Sequence, residues 1–175
     1  MVIQTRGDYE SKKSEVSSQI ECLYERIAFN TRVENVFSQN DDSFMMAKED
    51  IHKKIMVLTS RTALKPLQQL KINAMLLQMI HHRDIIENLI KIHARFSSDW
   101  AWQSQLRFNC NDDSCSILTG DTTFLYSFEY QGNEEKLVHT TLTDKCYLNL
   151  TQALRLGLGG NLIGPAGTGT QQTTY

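Results

Sequence analysis

The apolar residues of this 175-residue chain change their period once, and that change limits the fold more than any other feature. As far as Phe96 they recur every three or four positions, the spacing of helices with one buried face. Val16, Ile20, Leu23 and Ile27 form one stripe; Phe44, Ile51, Ile55 and Leu58 form a second, which Asp42 or Ser43 is placed to cap. Asn30 to Asn40 reads as a polar connector between them. Pro66 suits the first turn of a third helix, whose positions Leu67, Leu70, Ala74 and Leu77 hand over to Ile85, Leu89, Ile92 and Phe96. The phase shifts near His81 to Asp84, which predicts a kink or short break.

From Trp100 the period becomes two. Phe124, Tyr126, Phe128 and Tyr130 alternate with Leu125, Ser127 and Glu129, the pattern of a half-buried strand, and Gln105 to Phe108 is the expected partner. Thr119-Gly120-Asp121 and Gln131-Gly132-Asn133 read as turns. Leu137-Val138 opens a new segment, Thr143 or Asp144 is expected to cap a helix through about Leu156, and Gly157, Gly159 and Gly160 end it. The fold class is therefore α+β, in three parts: residues 1–100 helical, 101–135 a small antiparallel β segment, and 136–175 the start of an α/β unit.

Composition removes several classes of function. Eighteen basic against twenty acidic residues, with no dense Lys/Arg block, argue against nucleic acid and anionic membrane as partners. No segment reaches the roughly 18 apolar residues of a membrane span, and Met1 to Glu10 lacks an apolar signal core, so a cytosolic chain is expected. Cys22, Cys110, Cys115 and Cys146 are then expected as reduced thiols, and Asn149-Leu150-Thr151 as an unused glycosylation acceptor.

Gly164-Pro165-Ala166-Gly167-Thr168-Gly169 fits the first six positions of G-x-x-x-x-G-K-[ST], a loop whose converging backbone N–H groups hold a nucleotide's β-phosphate. Asn161-Leu162-Ile163 is expected as a short strand leading into it. The next two positions call for Lys, to reach the β- and γ-phosphates, and Ser or Thr, to bind Mg²⁺. Thr170 and Gln171 stand there instead. If the lysine is deleted rather than replaced, Thr170 falls on the Mg²⁺ position. On either alignment a cation is missing, and hydrolysis is expected to be severely impaired.

Several segments together resemble the dynein heavy chain family. Trp102 to Phe108 is similar to its W-x-S-Q-L-R-[FY], near the end of the linker, and Phe128 to Asn133 to F-x-Y-x-Y-x-G-N. Leu137 to Tyr147 resembles L-V-x-T-P-L-T-D-[RK]-C-Y, which opens the first AAA+ module of the motor ring. Thr151-Gln152-Ala153-Leu154, Leu158-Gly159-Gly160 and the loop follow in the family's order. Gln131-Gly132-Asn133, Lys136 to His139 and Asp144 to Leu148 are closest to the cytoplasmic type 2, intraflagellar-transport branch.

The resemblance implies that residues 1–100 are the C-terminal part of the linker, 101–135 the linker/ring junction, and 136–175 the first strand, helix and P-loop of the first AAA+ module. It implies ATP with Mg²⁺ as the parent family's cofactor, weak or lost here. Gly164 to Gly169 and Thr170 would lie at the phosphates, and Val138, Thr141 and Leu142 near the adenine. The implied partners are the rest of the heavy chain, intermediate and light chains, and microtubules; the implied location is cytoplasm and cytoskeleton, with cilium or axoneme for the type 2 branch. Thr141 replaces the family's proline. Walker B, the sensors and the other five modules are not within this sequence, so the chain is expected to be inactive alone. Its ending stands open between substitution, an alternative exon and a gene-model error. The alternative function is a non-enzymatic helical interaction module with a vestigial loop, and an unrelated P-loop ATPase lacks the residues it needs.

Other residues have simpler readings. His81, His82 and His93 are taken as packed or solvent-facing and not as metal ligands; Cys110, Cys115 and His139 lack the spacing of a zinc ribbon. Trp100, Trp102 and Phe108 are expected in a core between helix and sheet. Cys146 reads as a small buried residue.

Overall fold

The computed structural model describes residues 17–38, 42–61, 65–111, 114–130, 132 and 138–165. Among the described residues three helices come first: α1 (Ser18–Phe37), α2 (Asp42–Thr59) and α3 (Pro66–Lys91). A short helix, α4 (Trp100–Gln103), leads into strands β1 (Arg107–Cys110), β2 (Cys115–Thr119) and β3 (Thr122–Leu125), and α5 (Thr141–Arg155) follows. The result is α+β, with the helical and β parts in the predicted order.

α2 and α3 pair along their lengths, and α1 packs on both while its other side lies against β1. The main core forms where the three helices meet, around Val33, Ile51, Met79, Ile86, Leu89 and Trp102. Each such side chain removed from water contributes about 1.5–3 kcal/mol before the entropy of ordering is subtracted. A smaller cluster, Leu23 with Phe108 and Cys115, fixes the sheet to α1. Ion pairs such as Lys54–Glu25, at 2.8 Å, cross the helix contacts on the surface. Exposed pairs of this kind add only about 0–1 kcal/mol each.

The expected connector from Asn30 to Asn40 is helical as far as Phe37. Val33 and Val36, both buried, keep the helical spacing through a stretch whose other residues are mostly polar. α3 is unbroken through His81 to Asp84, so the short break expected there is absent. Its buried row is Ile72, Met75, Met79, Ile85, Ile86 and Leu89, together with Gln78 and His82, so Ile85 and Leu89 face the core as expected. Leu67 and Leu70 are exposed because α3, at 26 residues, outruns the 18-residue α2 against which it packs. Ile92 and Phe96 fall beyond the helix end and are exposed as well.

β2 is the central strand, antiparallel to β1 and to β3. Gln105 to Phe108 was the expected partner of the Phe124 strand; Cys115–Thr119 instead lies between them, pairing Phe108 with Ile117 and Ile117 with Phe124. β3 stops at Leu125. Phe128 takes a left-handed φ of 56°, which ends the extended alternation, and Gln19 Nε2 holds this stretch by donating to Tyr126 Oη and to the Glu129 carbonyl. Gly120 supplies the φ of +55° needed in the β2–β3 turn.

The cysteines also differ from expectation. Cys110 and Cys115 face each other in the β1–β2 register and form a disulfide, with Cα atoms 3.9 Å apart, while Cys22 and Cys146 are free. The hairpin pairing that makes these two cysteines direct neighbours was not legible from their spacing. Among the described residues no helix is long and apolar enough to cross a membrane.

Candidate functional site

The approach to the glycine loop is built by α5 and its two ends. Thr140, and not Thr143 or Asp144, is the N-cap: its Oγ1 accepts from the Thr143 N–H at 3.2 Å, and its own N–H donates to Thr143 Oγ1 at 2.8 Å. This reciprocal pair satisfies two donors that a helix start leaves open. Thr141 then occupies the first helical position, where the backbone N–H has no helical partner and proline fits best. At the other end Gly157 has a φ of +70°, its N–H bonds to Leu154 O, and the Leu158 N–H bonds to Ala153 O at 2.9 Å. That pattern closes the helix and turns the chain back. A Cβ on Gly160 would collide with Leu150 Cδ2, so the returning chain runs close beside α5.

Gly164 and Pro165 are exposed, at the end of a stretch 158–165 without regular structure. Asn161-Leu162-Ile163 is not a strand: it has no ladder neighbour among the described residues, and Ile163 is 90% exposed. Strand geometry needs a paired edge, and nothing described here supplies one. Ala166, Gly167, Thr168, Gly169 and Thr170 lie outside the described residues. Val138, Thr141 and Leu142 are exposed around the start of α5.

α5 itself has no fully buried side chain. It touches the sheet through Arg155, which pairs with Asp121 and holds that carboxyl below its ordinary range. Its other anchor is a cluster of polar rings. The His139 and His81 rings stack with centroids 4.0 Å apart and planes 19° apart, bringing the start of α5 onto α3. Asp144 Oδ1 lies 3.6 Å from His139 Nδ1, and the Tyr147 ring is 6.2 Å from that of His139. Burial pushes the Tyr147 hydroxyl up, with Asp144 adding to it. Burial, then His139, pushes His81 down to about 4. His82, beside it, is stacked on Phe29 at 3.8 Å and is also held well below its ordinary value by burial. His139 lies 58 residues from His81 in the sequence, and only the packing of α5 on α3 brings the two rings together.

Residues 126–175 match the family described as the hydrolytic ATP binding site of the dynein motor region. The chain belongs to the dynein heavy chains. It is 38% identical over 175 residues to cytoplasmic dynein 2 heavy chain 1 of Caenorhabditis elegans, covering 99% of this chain and 4% of that protein. The human protein of the same name is 42% identical over 165 residues, 89% of this chain and 4% of the relative. Dynein axonemal heavy chain 11 of Sus scrofa is 37% identical over 179 residues, 95% of this chain and 4% of that protein. The chain thus spans about one twenty-fifth of the length of these relatives, 4% in each case.

Proposed function

We propose that the chain corresponds to the junction of linker and motor ring in an ATP-driven microtubule motor. In this reading residues 1–100 are the end of the linker, 101–135 the junction, and 136–175 the start of the first AAA+ module. The carrying observation is that the family match covers the glycine loop together with α5. Gly164 to Gly169 take the phosphates, and Val138, Thr141 and Leu142 lie beside the adenine. Mg²⁺ accompanies ATP in the parent motor, with Thr170 as its ligand only on the alignment in which the lysine is deleted. The partners are the remainder of a heavy chain, intermediate and light chains, and microtubules, in the cytoskeleton and, for the type 2 branch, the cilium.

Thr170 and Gln171, standing where Lys and Ser or Thr belong, favour a second reading: a helical interaction module whose loop no longer binds nucleotide. Titration with a fluorescent ATP analogue separates the two. Replacing Thr170→Lys and Gln171→Thr restores one charge-assisted contact and the Mg²⁺ hydroxyl, worth about 1.5–3 kcal/mol, or roughly 10- to 150-fold in affinity. Mg²⁺-dependent tightening of that size supports the phosphate-loop reading. Equal affinity in the two chains refutes it. Micromolar Mg²⁺-dependent binding by the unsubstituted chain contradicts the vestigial reading.

A further inference from the structure

The ring cluster at the start of α5 has a feature that packing alone leaves unexplained. His139 Nδ1 is buried and has no hydrogen-bond partner among the described residues. Buried polar atoms are nearly always satisfied, and an orphan within a fold points to a water or an ion at that place. The atom is not isolated. One donor atom each from His81, His139 and Asp144 lie within 4.8 Å of one another, with the His139 to Asp144 approach at 3.6 Å.

We propose that His81, His139 and Asp144 form a site for a divalent transition metal of the zinc type, joining α3 to the start of α5. Two imidazoles and one carboxylate are a zinc donor set, with a fourth position left to water. Bonds of about 2.0–2.1 Å in a tetrahedron set ligand atoms roughly 3.3 Å apart, so the three donors close by about 1.5 Å or less on loading. Loading also turns the His81 and His139 rings out of their face-to-face stack, because both in-plane lone pairs must point at one ion. Imidazole nitrogen selects zinc, cobalt, nickel or copper over magnesium and calcium, which prefer oxygen.

A metal binds the neutral imidazole, through the lone pair of one ring nitrogen. Of the charged groups acting on His81, Asp144 and Asp84 favour a cation, while His139 and Arg26 oppose it. The carboxylates outnumber the guanidinium, and Asp144 is itself a ligand. The site uses no residue of the glycine loop and stands independently of the nucleotide reading. Its consequence is structural: an occupied site clasps the helical part of the chain to the turn that carries Val138, Thr141 and Leu142.

The test uses the 175-residue chain, stripped with chelator and titrated with Co²⁺ under visible absorption, then with Zn²⁺ in competition. One Co²⁺ per chain is expected, with d–d bands of a four- or five-coordinate ion and no thiolate charge-transfer band. His81→Gln, His139→Gln and Asp144→Asn should each weaken binding by at least about tenfold, by analogy with the losses seen when a metal's supporting shell is removed. Circular dichroism shows whether each variant keeps its helices. X-ray absorption of the unsubstituted Zn²⁺-loaded chain gives a readout that needs no variant, and two imidazoles in its first shell are expected. Absence of binding at millimolar Co²⁺, a thiolate band, a first shell without two imidazoles, or unchanged affinity in the folded variants would each overturn the proposal.

Discussion

Trp102 is the side chain on which the junction between helices and sheet depends most. It is 1% exposed, with the Phe29 and Phe37 rings each 6.2 Å from its own, and it sits on a helix of only four residues that has no stability of its own. Trp102→Ala should cost about 3–5 kcal/mol, a large share of the roughly 5–15 kcal/mol that holds a domain of this size together. Trp102→Phe should cost far less. The smaller ring gives up about 1–2 kcal/mol of packing, but the Trp102 Nε1–H is buried without a partner, and removing it recovers roughly 1 kcal/mol of desolvation. The net change is about 1 kcal/mol or below. Urea unfolding followed by far-ultraviolet circular dichroism measures both variants. Tryptophan emission adds a local probe, because the only other tryptophan, Trp100, is 61% exposed and Trp100→Phe leaves Trp102 as sole reporter. A Trp102→Ala cost under about 1 kcal/mol, or equal costs for the two substitutions, would refute a packing role.

Further expectations concern helix ends and pH. His93 ends α3 with a left-handed φ of 54°, its N–H bonded to Ile90 O and the Ala94 N–H to Leu89 O. His93→Gly should therefore stabilise the chain by about 0.5–1 kcal/mol, read as a higher urea midpoint. Thr141→Pro, at the first position of α5, should add about 0.4–1 kcal/mol and leave the circular dichroism spectrum unchanged; loss of helix would show that the Thr141 N–H is needed. His81 and His82 are both held below the ordinary value of about 6.5, so the unfolded chain takes up protons first as pH falls. Stability is then full above about pH 6.5 and declines toward pH 4, each histidine contributing up to about 1.4 kcal/mol per pH unit. With chelator present, His82→Phe should roughly halve that slope, and an unchanged slope would show that His82 takes up its proton at the same pH in the folded and unfolded chain.

The sequence was most legible where one residue type forces a local geometry. Pro66 began α3, Gly120 turned a hairpin and Gly157 closed α5, each for the backbone reason anticipated. It was least legible where burial depends on what lies opposite. Leu67 and Leu70 have the spacing of core residues but extend past the partner helix, while Gln78 and His82 occupy buried positions that polarity argues against. Gln78 is tolerated there because its Nε2 donates to the Cys22 carbonyl at 2.8 Å. β2 was missed because Cys-Ser-Ile-Leu-Thr is short and does not alternate, yet it is the one strand with neighbours on both sides. The glycine loop was legible from its own spacing, whereas the histidine cluster required the three-dimensional meeting of α3 with the start of α5.

α5 is closed at its first turn by Thr140 and Thr143 and at its last by Gly157 and Leu158, yet none of its side chains is fully buried. Its internal order and its attachment are thus separate quantities, the first set by bonds within fifteen-odd residues and the second by a few surface contacts. Such a helix behaves as a stiff bar on a compliant mount: load applied through the chain beyond Gly157 is expected to tilt it before it frays. Small changes at the mount, at Arg155–Asp121 or at the stacked His81 and His139 rings, would then set its angle while its length stays constant.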